Sequence, residues 1–226
     1  MLKYCAYLLL CLFFGFLDFY FNLRGFLSLL LYTTIASLIM VLKHNKNTKL
    51  NFKFTYNNYL LYGIASIISV SIFLGFLVQY FYPVPVDHSV KIDFYLITGT
   101  IILSFAEEVI FRGYWLNNFL EKYSITTSIL ITSTGFAFLH FFARNDPFFA
   151  FIGSVILSLI FLKQKSISNV FAIHLLYNFF ATFLWPKIML SYLNLDAIYK
   201  IIIFVTIAVI NICFLKMLLK KTMMQN

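Results

Sequence analysis

The sequence predicts an all-α fold, a polytopic membrane helix bundle of about eight transmembrane helices. Composition is the first reason. Of 226 residues, 62% are hydrophobic, 20% aromatic and only 11% charged, against roughly 45–50% apolar and 25% charged in a soluble domain. The second is spacing. The apolar residues come in runs approaching the 20 or so that cross the hydrocarbon core. The third is charge placement. Lys and Arg gather between the runs, so the net charge of +9 reads as a topology signal rather than a nucleic-acid footprint.

In order, the spans fall at 4–21, 23–42, 59–82, 94–112, 125–142, 148–162, 167–185 and 198–216. The first two are separated by little more than Asn22 and form a hairpin. Asp18 within the first run, and the spans behind it, argue against a cleaved signal peptide. No lipidation signature stands at either end. The third span ends before Pro83 and Pro85, and Pro147 and Pro186 also fall in or beside loops of that side, where proline interrupts no helix interior. The fourth continues as a helix through Trp115 and Phe119 towards Tyr123, and the sixth is the short one. Residues 1–91 hold three helices and a basic loop from Lys43 to Asn58, and residues 92–226 hold the polar motifs, all as one integral membrane unit.

Threading these spans puts twelve of the 17 Lys and Arg on the side of the termini, which places both termini in the cytoplasm. The basic loop then faces the anionic inner leaflet, as topology alone requires. Cys5, Cys11 and Cys213 sit in apolar runs and form no disulfide framework. The bilayer is the evident partner, and nucleic acid is not expected.

A charge in mid-bilayer costs about 2.5–3.5 kcal/mol on insertion scales, so ionisable residues there are read as functional. The fourth span carries Glu107-Glu108-Val109-Ile110-Phe111-Arg112. Glu108 and Arg112 are four apart and share a helix face. Glu107 is turned about 100° away. Arg112 therefore neutralises Glu108 and leaves Glu107 as a carboxylate able to act as a base. A buried ion pair that only fixes helix register is the competing reading, although one acid would suffice for it.

Phe136 and His140 stand four apart in the fifth span, and His174 and Asn178 four apart in the seventh. A single histidine in an apolar helix is more often packed and hydrogen-bonded than reactive, and a lone Asn can merely join helices. His44 and His88 lie in loops, so His140 and His174 are the two in apolar spans. Together with Glu107 they offer a base, imidazoles and neutral donors. These are the parts for activating water and stabilising an oxyanion, with no serine or cysteine nucleophile.

Glu107-Glu108-x-x-x-Arg112, Phe136-x-x-x-His140 and His174-x-x-x-Asn178 resemble the three-motif pattern of the CPBP family. That family holds the CAAX prenyl endopeptidases and bacterial membrane proteins linked to bacteriocin processing or self-immunity. The resemblance covers Glu107 to Asn178. It implies an intramembrane endopeptidase acting on a hydrophobic or membrane-tethered peptide, in a bacterial cytoplasmic membrane. Glu107 is then the general base, and His140 helps hold the water. His174 and Asn178 donate to the oxyanion, and Glu108 and Arg112 orient Glu107. Glu107, His140 and His174 also form a set able to bind zinc, but metal-free hydrolysis is the preferred reading. A proton- or cation-coupled transporter and a non-catalytic immunity or scaffold protein are the alternatives. A straight threading leaves His140 about 10–15 Å from the depth of Glu107 unless the fifth helix starts deeper, the fourth is long and tilted, or the topology is inverted.

Overall fold

The computed structural model describes residues 2–23, 25–45, 50–81, 93–141 and 147–220. Among them are eight continuous helical rods and no strand. They are α1 (Leu2–Tyr20), α2 (Phe26–Asn45), α3 (Asn58–Phe81), α4 (Phe94–Leu120), α5 (Ile125–Leu139), α6 (Pro147–Gln164), α7 (Ile167–Leu193) and α8 (Ala197–Lys220). Six of them, α1, α3, α4, α6, α7 and α8, are long and apolar enough to cross a membrane. The shorter apolar helices are Phe26–Leu42 within α2, and α5. Arg24, Lys46, Lys49, Pro83, Pro85, His88, Lys91, Arg144 and Lys221 lie outside the described residues.

The expectation of a short sixth span is corrected. α6 has 18 residues, and the short rod is α5 with 15. α4 has 27. At 1.5 Å per residue, α4 rises about 40 Å and α5 about 22 Å. α5 therefore turns back beside the C-terminal half of α4 and stops near the level of Glu107.

The α1–α2 hairpin is tied by a buried carboxylate. Asp18 accepts from the backbone N–H groups of Leu27 (3.0 Å) and Ser28 (2.7 Å), and from the Ser28 hydroxyl (2.5 Å). It thereby satisfies N–H groups that the first turn of α2 leaves open. Gly25, at φ 79°, makes the turn.

The bundle is centred on α4, where Val109, Ile110, Phe111 and Leu116 are fully buried. α1 and α2 pack on α5 and α4 respectively, and α8 packs on α3. α5 and α6 pack on each other, and both carry buried small residues, Ser128, Thr132 and Ser133 on α5 and Ser154 and Ser158 on α6. Small side chains let helix backbones approach closely where lipid supplies no hydrophobic drive.

Residues 50–57 form an extended strap on the start of α7. Asn51 O accepts from Ile167 N (2.9 Å), Lys53 O from the Ser166 hydroxyl (2.7 Å) and Thr55 O from Asn169 Nδ2 (2.8 Å). Part of the predicted basic loop is thus built into the bundle. It lies beside the α6–α7 turn, with which the sequence threading grouped it.

Candidate active site

α4 changes its winding just after the two glutamates. Val109–Leu116 is π-helical, and the same happens in α7 at Phe180–Leu184, just after Asn178. Such widened turns are rare and recur at functional sites. Here the first begins inside the Glu107–Arg112 motif and carries Arg112, and the second begins two residues after Asn178.

Glu108 and Arg112 are fully buried. Arg112 Nη1 donates to Glu108 Oε1 (2.9 Å). Arg112 Nη2 donates to Ser154 O (3.1 Å) and Oγ (2.9 Å) on α6, and the guanidinium lies 5.1 Å from the Phe136 ring centroid. His174 Nδ1 sits 2.7 Å from the same Glu108 oxygen. An imidazole N–H donated to that carboxylate ties α7 to α4. The resemblance assigns Glu108 and Arg112 to orienting Glu107, whereas the direct bond from this pair runs to His174.

Glu107, His140, His174 and Asn178 line one cavity of about 480 Å³. Volumes of roughly 300–1,000 Å³ are usual for small-ligand sites. Glu107 is 5% exposed, and its Oε2 lies 3.7 Å from His174 Nε2. Asn178 Nδ2 donates to the Ser104 hydroxyl of α4 (2.9 Å). These contacts make α4 and α7 antiparallel, since Ser104 meets Asn178 while Glu108 meets His174.

His140 caps the end of α5, where its ring folds back so that Nδ1 is 2.9 Å from Phe136 O. A carbonyl only accepts, so Nδ1 carries a proton, and in the neutral ring Nε2 then keeps its lone pair. The Phe136 ring touches both imidazoles, at 4.5 Å from His140 and 5.9 Å from His174. The predicted mismatch in depth is thus removed by the short α5 and long α4.

The six polar residues of the motifs therefore fall into two layers. Glu107, His140, His174 and Asn178 face the cavity, while Glu108 and Arg112 lie behind and hold His174 and α6. Sequence reasoning missed Ser104 and Ser154 as partners. Hydroxyls are common in membrane helices, and nothing local marks these two. Among the described residues, no group of three or more His, Cys, Asp and Glu is placed to hold a metal ion. Glu107, His140 and His174 share the cavity without forming a ligand cluster.

Residues 90–180 match the family model described as Rce1-like, type II CAAX prenyl endopeptidase Rce1-like. The matched stretch contains every motif residue from Glu107 to Asn178 and bears out the resemblance read from them. No curated protein and no solved structure matches the chain. The match and the membrane-length helices support an integral membrane protein with the character of a membrane endopeptidase.

Proposed function

Taking as premise that residues 90–180 carry an Rce1-like type II CAAX prenyl endopeptidase domain, we propose that the protein is an intramembrane endopeptidase that hydrolyses a peptide bond with glutamate-activated water. Its substrate is a hydrophobic or membrane-tethered peptide, presented in extended form because a helical peptide bond is shielded by its own hydrogen bonds. The observation that carries the reading is the cavity shared by Glu107, His140, His174 and Asn178, with Glu107 facing His174 at 3.7 Å.

A water between Glu107 and the scissile carbonyl gives a proton to the Glu107 carboxylate as its oxygen bonds the carbonyl carbon. His140 Nε2 accepts from the second O–H of that water. The carbonyl electrons move to oxygen. The resulting oxyanion receives hydrogen bonds from His174 Nε2–H and from the Asn178 N–H not engaged by Ser104. Collapse breaks the C–N bond, and the proton held by Glu107 passes to the leaving amine.

His174 donates through both nitrogens in this scheme, Nδ1–H to Glu108 and Nε2–H to the oxyanion, and the same Glu108 oxygen accepts from Arg112.

The scheme uses no metal. Chelation of the purified protein is expected to leave cleavage unchanged, and loss restored by zinc alone overturns that part. Asn178→Ala is expected to lower kcat by about 10²–10³, read from initial cleavage rates. An unchanged kcat removes Asn178 from the oxyanion site.

A further inference from the structure

The α1–α2 hairpin is tied at its turn by Asp18, which binds the first residues of α2. Towards the other end, a groove of about 210 Å³ runs between the two helices with α4 behind it. Its walls include Ile39, Ile110 and Trp115, all buried, and on α2 it is edged by Leu38 and Leu42, one turn apart and exposed. Residues 35–42 of α2 line it and rise about 10 Å. That length fits within one leaflet, half of the roughly 30 Å hydrocarbon core.

The groove has one charged residue, Lys3, near the start of α1. A lysine at the end of a membrane helix ordinarily stretches its stem outwards to water. Here the ammonium donates to the Tyr114 hydroxyl at 3.1 Å and lies 5.1 and 5.3 Å from the ring centroids of Tyr4 and Tyr114. The phenols hold the cation beside the groove without cancelling its charge. Among the described residues, no carboxylate forms an ion pair with it. The charge bias places Lys3 on the cytoplasmic side, where the leaflet is negatively charged.

We propose that this groove binds an anionic phospholipid, with one acyl chain between α1 and α2 and the phosphate on Lys3. Apolar walls alone admit any lipid tail, so the cation is what selects. A zwitterionic head carries its own cation beside its phosphate and gains less from Lys3. The site needs no peptidase chemistry, and among the described residues it shares no lining residue with the cavity of Glu107. An occupant lies against Ile110, Tyr114 and Trp115, all in the π-helical stretch that carries Arg112.

The test uses full-length Trp185→Phe protein in detergent micelles, which leaves Trp115 as the single tryptophan of the two in the chain. Phosphatidylglycerol and phosphatidylcholine with the same brominated chains are titrated in, and quenching of Trp115 is read. Phosphatidylglycerol is expected to reach half-maximal quenching at about fivefold lower concentration, the effect of one lysine beside anionic lipid. Adding Lys3→Gln is expected to bring the two lipids within about twofold of each other, while Lys3→Arg keeps the preference. Glycerol 3-phosphate, a head without chains, is expected to leave the quenching unchanged. Phosphatidylglycerol is expected to raise the melting temperature of the parent more than that of Lys3→Gln, as a ligand of the folded state does. Without lipid the two are expected to melt together, which separates loss of the site from loss of fold.

Equal quenching by both lipids, or a preference that survives Lys3→Gln, reduces the groove to a place for bulk lipid and overturns the proposal. Relief of quenching by glycerol 3-phosphate makes it a site for free phosphate instead. No quenching of Trp115 by either lipid, with a dimer seen by native mass spectrometry, gives the groove to a second copy of the chain. No quenching with a monomer leaves it without an occupant, and each of these overturns the lipid site.

Discussion

One oxygen of Glu108 receives both the Arg112 guanidinium at 2.9 Å and the His174 imidazole at 2.7 Å. Removing it leaves a fully buried guanidinium without its counter-charge and frees the ring that faces Glu107. Breaking a buried pair from one side costs about 3–5 kcal/mol. Glu108→Ala is therefore expected to unfold at far lower denaturant than the parent in micelles, while Glu107→Gln unfolds close to it. Equal midpoints for Glu108→Ala and the parent would show that this cluster does not hold the bundle. The residue scale was also the most legible from sequence. An ionisable group in an apolar run stands out against its neighbours, and the four-residue spacing of Glu108 and Arg112 predicted their pairing. The joint hold of Glu108 on His174 was not legible, because it joins residues 66 apart in the chain.

The elements owe their meeting to length and to small residues. α5 stops after 15 residues, and that brings His140 to the cavity. Hydropathy carried the predicted fifth span to residue 142, because Phe141 and Phe142 are as apolar as the helix before them. The π-helical turns at Val109–Leu116 and Phe180–Leu184 leave no trace in the apolar pattern either. Close approach of α5 to α4 depends on Gly135, whose added Cβ would lie 2.6 Å from Trp115 Cζ3. Trp115 has little room to move, with Tyr4, Tyr7 and Phe111 rings centred 5.1, 5.4 and 5.2 Å away. Gly135→Ala is expected to cost about 1–3 kcal/mol through overpacking, measured by thermal unfolding in detergent. An unchanged melting temperature would mean that the α4–α5 contact is loose.

At the scale of the whole molecule, the helices without motifs are part of the same body. α1 and α2 cover α5 and α4, and Lys3 Nζ donates to the Tyr114 hydroxyl at 3.1 Å. The strap at 50–57 closes over the start of α7. Eight helices were readable from apolar run lengths, but the docking of the strap was not, since it depends on backbone carbonyls that any sequence carries. The charge bias assigns strap and termini to the cytoplasm. Lys53→Cys is expected to react with a membrane-impermeant maleimide only after cells are opened. Labelling of intact cells would invert the topology.

The central claim is that Glu107 takes a proton from water inside a cavity built by α4, α5, α6 and α7. Its most direct measurement is cleavage of a hydrophobic peptide library by the purified protein in heavy-oxygen water, with the Glu107→Gln variant alongside. The account predicts new carboxyl termini that carry one heavy oxygen, and none with the variant. Labelled termini formed at the parent rate by Glu107→Gln, or no cleavage by the parent protein, would contradict it.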